Sequence, residues 1–307
     1  RLDSELNMDF KSAYYASVNY KKEILKLDLC LDSDYHLFSK TLKDADILLL
    51  NFKKGDDSKL KVRPKDLWAI NPGLIIGKIS GFGSENDRIA YDLILQAESG
   101  FMAMNGTKES GPTKMPVALI DILAAHQLKE GLLLALLKRQ PNKGQLVSVS
   151  LYDAAISSLA NQASNYLVQG HIPQRIGSLH PNIAPYGEIF HTQDQQSITF
   201  AIGSNTHFKK LVSLLHMPEL ANDAHFKTNM LRVKNRHKLQ PLLQQSIGEM
   251  SCASLLDALI EQNVPVAQIK NLDTVFNDAQ AQALVKTEEV NGQHTKRVSQ
   301  IAFKFEQ

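Results

Sequence analysis

Apolar positions in the first half of the chain switch repeatedly between a period of two and a period near 3.6. Residues 24–29 (ILKLDL) alternate apolar and polar side chains, which predicts a strand. Leu37, Phe38 and Leu42 follow at helical spacing within 33–42. Ile47–Leu50 is a short apolar run that predicts a second strand, and Pro64 opens a helix carrying Leu67, Trp68 and Ile70. After the Asn71-Pro72-Gly73 turn, residues 74–80 (LIIGKIS) predict a third strand. Strands alternating with helices imply crossover connections and a parallel sheet covered on both faces.

Helical periodicity then takes over. Residues 116–139 are mostly apolar, 145–150 (QLVSVS) predict a further strand, and 151–168 predict one long helix of small and apolar residues. Three prolines (Pro173, Pro181, Pro185) and Gly177 between 170 and 187 mark a domain boundary. Beyond it, strands are predicted at 197–202, 266–269 and 298–305, with helices at 208–215, 238–247 and 253–262.

Composition narrows the function classes. The 307 residues are 43% hydrophobic and 21% charged, which excludes a disordered chain or a coiled coil, and the length suits about two domains. Thirty-four basic residues against 32 acidic ones leave a net charge of +2, too balanced to argue for nucleic acid or a membrane surface. Cys30 and Cys252 cannot build a disulfide framework or a cysteine zinc site, and two free thiols suit the cytoplasm. The start, RLDSELNMDF, shows no signal peptide. No histidine pair at ligand spacing, phosphate loop or nucleophile elbow is present, so no metal is expected.

Three local features could carry chemistry. The loop Gly81-Phe82-Gly83-Ser84-Glu85-Asn86 begins like a dinucleotide fingerprint, but Asn86 stands where the third glycine belongs; a plain loop at a strand's carboxyl end is favoured over NAD binding. Lys53, Lys54, Lys59, Lys61 and Arg63 form a basic cluster after the second strand. It reads either as a solvated loop, partly cancelled by Asp56 and Asp57, or as a site for a phosphate-bearing ligand. Asp121 lies within the apolar run MPVALIDILAA. It is either a first-turn carboxylate favoured by the helix dipole, or a group kept in costly surroundings for chemistry.

The residues also carry a resemblance. The matching stretches are SVNYKKEILKLDL (17–29), ADILLLNFKKG (45–55), NPGLIIGKISGFGSEN (71–86), YDLILQAESGFMAMNG (91–106), MPVALIDILAAHQLKEGLLLALLKR (115–139), GQLVSVSLYDAA (144–155), HPNIAPYGEIF (180–190), FKTNMLRVKNR (226–236) and VPVAQIKNLDTVF (264–276). Together the chain resembles the class III CoA-transferases, the group that includes formyl-CoA:oxalate and carnitine CoA-transferases.

This resemblance implies an α/β fold with a Rossmann-like large domain and parallel sheet (residues 1–168), a linker (169–186), a smaller α/β domain (187–270) and a C-terminal segment returning to the large domain (271–307). It implies an interlocked homodimer of ring-shaped subunits. The family's first strand–helix unit has no counterpart here, and Gly203-Ser204-Asn205 stands near its glycine-rich loop. The resemblance places the catalytic aspartate on Asp121 and the CoA-contacting positions on Leu27, Asn51, Phe52, Lys53, Lys59 and Tyr91, with Arg88 in the last segment. Coenzyme A would act as acyl-CoA substrate beside a small carboxylic acid, with no tightly bound cofactor. A 2-methylacyl-CoA racemase of the same fold is the alternative, disfavoured because Tyr91 stands where racemases carry His. A catalytically inactive CoA-binding protein is a further one.

Overall fold

The computed structural model describes residues 13–290 and 293–306. They fall into two compact units, one spanning Lys26–Pro181 and the other combining the residues before 26 with those from Asn182 on.

In the first unit, strands β1 (Ile47–Leu50), β2 (Ile75–Ser80) and β3 (Gln145–Ser150) form a parallel sheet in the order β1-β2-β3. The register runs Ile47 against Ile75 and Ile75 against Gln145. The expected α/β pattern is therefore present, with helices α1 (Asp32–Lys43), α2 (Pro64–Ile70), α3 (Asp92–Glu98), α4 (Leu119–Leu137), α5 (Leu151–Ser157) and α6 (Ala160–Gln169) before, between and after the strands. Leu42, Val62, Leu67, Leu74 and Ile76 bury one core. Each such side chain contributes roughly 1.5–3 kcal/mol of hydrophobic stabilisation.

Helix α4 packs against β2 and β3. Gly131 allows the close approach: a Cβ there would stand 2.5 Å from Val147 Cγ1. Ile120, Ala124, Leu95, Leu151, Ala154 and Ala155 close a second core beneath the start of α4.

In the other unit, β4 (Tyr186–His191), β5 (Ser197–Ala201) and β6 (Val266–Gln268) form an antiparallel sheet. Its core joins Phe190, Ile198 and Phe200 to side chains of α7 (Asn205–Leu214), α8 (Arg236–Ile247) and α9 (Cys252–Glu261). Arg232 is wholly buried beside this core. Its guanidinium donates to the carbonyls of Ala184 (2.8 Å) and Phe226 (3.0 Å) and to Asn205 Oδ1 (3.0 Å), and stacks over Phe208. Burial pulls its pKa down to about 10. An antiparallel hairpin of β7 (Val285–Val290) and β8 (Gln293–Val298) follows.

Four expectations are corrected. Residues 24–29 are irregular, and Ile24 and Leu25 are more than half exposed; alternation makes a two-faced segment, but a strand also needs a partner, and none among the described residues pairs with it. The predicted helix 151–168 breaks at Ser158 and Leu159, where Ser157 and Ser158 hydroxyls turn back onto the Ala154 carbonyl. The predicted strand 298–305 begins only where β8 ends, and residues 300–306 are irregular. Helix α4 starts at Leu119 rather than just after Pro116.

Candidate active site

A cleft of about 250 Å³ opens at the carboxyl ends of the parallel strands, where open α/β sheets place ligands. Asn51, Phe52, Lys53 and Lys54 reach it from the end of β1. Lys78, Ile79 and Ser80 come from the end of β2, and the loop from Gly81 to Tyr91 forms its rim. Gly81 is pinned against that rim. A Cβ there would lie 2.2 Å from Ala90 Cβ, and its carbonyl accepts the Tyr152 N–H at 3.0 Å.

The structure brings together five of the residues singled out from sequence: Asn51, Phe52, Lys53, Arg88 and Tyr91 all line this cleft. Leu27, half-buried, and Lys59, exposed in the helical turn Asp56–Lys59, do not. Lys78 and Ser80 join the cleft without having been singled out, together with Gly81, Gly83, Ser84 and Asn86 of the glycine-containing loop. The signal for Lys78 was its place near the end of an apolar strand, a position that points a polar side chain at a crevice.

Most of the cations around the cleft are already partnered. Lys54 pairs with Glu85 at 3.6 Å and Lys78 with Asp57 at 3.8 Å. Arg88 makes a two-pronged pair with Glu98 and stacks over Phe82 at 4.3 Å. Glu98 holds the Arg88 guanidinium above its ordinary pKa, and Arg88 in turn lowers Glu98. Lys53 has no ion-pair partner among the described residues, which makes it the cation most available to an anionic ligand.

Asp121 sits in the first turn of α4. It does not line the cleft but joins it through two short links. Asp92, next to the cleft residue Tyr91, accepts the Ile120 N–H at 2.7 Å on Oδ1. Ile120, fully buried, shares its core with Leu151, another cleft residue. The Asp121 carboxyl pKa is raised, first by partial desolvation and then by the negative charge of Asp92.

The single chain does not enclose this carboxylate. Asp121 is exposed and Ile122 is 47% exposed, although the protein crowding around the carboxylate still raises its pKa. The reason lies in α4, which is apolar nearly all round. Leu133, Leu134 and Leu137 are more than half exposed, the pattern of a helix made to be covered on every side.

Among the described residues no group of His, Cys, Asp and Glu could hold a metal, and no helix is long and apolar enough to cross a membrane. The arrangement offers an apolar and polar crevice with one unpaired lysine and, outside its lining, a carboxylate of raised basicity on a helix tied to Asp92, the residue after Tyr91.

Comparison with known proteins gives a consistent picture. The family model described as CoA-transferase family III matches residues 3–307. Succinate–glutarate CoA-transferase of Agrobacterium fabrum is 32% identical over 279 residues, covering 90% of this chain and 69% of its own length. Acetyl-CoA:oxalate CoA-transferase of Acetobacter aceti is 31% identical over 278 residues, covering 89% and 71%. Among solved structures, a CaiB/BaiF family protein from Brucella suis aligns with a TM-score of 0.78 and 32% identity over 96% of this chain and 78% of that one.

Proposed function

The chain belongs to CoA-transferase family III, and on that premise we propose that it moves CoA from an acyl-CoA donor to a small carboxylic acid through covalent intermediates on Asp121. The observation that carries this reading is a carboxylate of raised basicity, one residue from the Ile120 amide that ties its helix to Asp92, the neighbour of the cleft residue Tyr91. A more basic oxygen is a stronger nucleophile.

An Asp121 oxygen attacks the thioester carbonyl, and the C–S bond breaks to release CoA thiolate and leave an aspartyl–acyl anhydride. The thiolate attacks the aspartyl carbonyl, freeing the donor carboxylate and forming an aspartyl-CoA thioester. The acceptor carboxylate then attacks that thioester, expelling the thiolate and forming a second anhydride. The thiolate finally takes the new acyl group and Asp121 regains its carboxylate. One hard exchange becomes several easier ones.

The relatives' names speak of succinate, glutarate and oxalate. They support short dicarboxylic acids as the substrate class, with coenzyme A entering only as substrate. Residues 1–168 would supply the CoA-binding domain. The open apolar faces of α4 and of α6, where Leu167 and Val168 are about four-fifths exposed, support a homodimer in which the second copy covers the Asp121 end and excludes water from both anhydride and thioester.

The test is direct. Mixed with succinyl-CoA without acceptor, the protein should gain the mass of CoA less water, mapped by peptide mass spectrometry to the peptide holding Asp121 and cleared by hydroxylamine. An unmodified Asp121 peptide in a chain that nevertheless exchanges CoA would overturn the covalent route.

Lys53→Ala should weaken CoA binding about five-fold at low salt, the worth of ~1 kcal/mol for one exposed charge contact, and the gap should narrow in 0.5 M salt as screening grows. Titration calorimetry at two ionic strengths reads this. Equal affinities at low salt would remove Lys53 from the phosphate contacts.

A further inference from the structure

The segment leading into α4 carries no cap of its own. Ala118 stands at the helix N-cap and offers no side-chain acceptor, so the first N–H groups must find partners elsewhere. The Leu119 N–H turns to the Val117 carbonyl at 2.8 Å, and the Ile120 N–H finds its acceptor on α3. Asp92 Oδ1 accepts the Ile120 N–H at 2.7 Å. Asp92 Oδ2 accepts the side-chain amide of Gln96 one turn later on the same helix, and Gln96 Oε1 accepts the Met115 N–H at 2.7 Å. Gln96 is 1% exposed.

Two side chains at i and i+4 therefore grip both ends of the stretch from Met115 to Ile120, and Asp121 is the next residue. Both Asp92 oxygens and the Gln96 oxygen are used. The Gln96 amide orients Asp92, so neither grip is independent of the other. The same helix begins one residue after Tyr91 on the cleft rim, which sets cleft and carboxylate in one frame.

We propose that Asp92 and Gln96 form a positioning clamp that holds the Asp121 carboxylate in attacking register with the cleft. The proposal rests on the reading of Asp121 as the nucleophile. Both residues act through Asp121 and touch no reacting atom. A displacement of the order of 1 Å at the nucleophile is enough to cost ~100-fold in rate, whereas loss of a mere cap would lower stability and leave turnover alone.

The experiment compares Asp92→Ala, Asp92→Asn, Gln96→Met and the double variant Asp92→Ala/Gln96→Met with Asp121→Asn. All use the full chain, with succinyl-CoA as donor and glutarate as acceptor. Asp92→Ala should lower kcat about 100-fold, with KM for succinyl-CoA within three-fold of wild type. Asp92→Asn keeps one acceptor for Ile120 but faces the Gln96 amide with a donor, so it should fall between the two. Gln96→Met should lower kcat about ten-fold, and the double variant should be no slower than Asp92→Ala, because the two losses are one loss.

Turnover within three-fold of wild type in both Asp92→Asn and Gln96→Met overturns the clamp, as does a parallel rise of KM with the fall of kcat. Should Asp92→Ala not fold, those two variants decide the matter. Inactive Asp121→Asn beside active clamp variants sinks the clamp alone. Active Asp121→Asn sinks the reading of Asp121 itself.

Discussion

Asp121→Asn should abolish CoA transfer, by at least ~10⁴-fold in kcat, while CoA binds as before. Replacing the carboxylate by a neutral amide removes the anionic nucleophile from which the anhydride forms in the proposed route, and loss of a covalent nucleophile in other enzymes costs this much or more. Since Asp121 lies outside the cleft lining, the Kd for CoA should stay within about two-fold. The same substitution should not weaken the fold. The raised pKa of Asp121 means that the folded chain holds this proton more tightly than the unfolded one, so the ionised carboxylate works against folding. That penalty is absent below the ordinary carboxylate pKa and grows as the pH rises through the raised one. Asp121→Asn should therefore melt about 1–2 °C above wild type near pH 7.5, a small gain because the group is partly open to solvent, and the two curves should converge near pH 4. A variant that melts lower at both pH values would show that Asp121 supports the fold instead of loading it.

Arg232→Met should be the most damaging substitution for stability, by ~3–5 kcal/mol. The guanidinium serves the Ala184 and Phe226 carbonyls and Asn205 Oδ1 at once while lying over Phe208. Methionine fills much of the volume but leaves these acceptors buried without donors. Lysine brings the charge but cannot reach three acceptors with a fork's geometry, so Arg232→Lys should recover less than half of the loss. Denaturant unfolding reads the size of the effect. Limited proteolysis reads its place, with first cuts expected between residues 182 and 250. A loss under 1 kcal/mol would mean that solvent satisfies those carbonyls when the arginine leaves.

How far the residues alone led can be judged element by element. The runs at 47–50 and 74–80 are legible because they are almost continuously apolar, 145–150 because β-branched Val147 and Val149 alternate with polar residues, and Pro64 sits where a helix tolerates it. Residues 24–29 look as good by alternation, yet alternation does not say whether a neighbouring strand is present. The hairpin of β7 and β8 is hidden for the opposite reason. Its strands read VKTEEV and QHTKRV, too charged for a period-two signal, although the Asn291-Gly292 pair between them in the sequence is a strong hairpin marker.

The cleft was legible in part. Asn51 to Lys53 and Arg88 to Tyr91 lie in loops after strands, and such loops converge in a parallel sheet. Leu27 rested on resemblance alone and Lys59 on resemblance and its place in a basic cluster; neither lines the cleft. Asp92 and Gln96 left no trace that sequence reading could use. Their partners, Ile120 and Met115, are 28 and 19 residues away, and nothing local in YDLILQAES separates a clamp from an ordinary first turn.

Gly81 carries a practical consequence for anyone wishing to change which acid this chain accepts. With no room for even one methyl group between it and Ala90, mutational libraries that randomise 81 or 90 would chiefly sample broken molecules. Diversity is better spent on Ser84, Asn86 and Ile89, whose side chains face the same crevice and whose replacement leaves that tight seam intact.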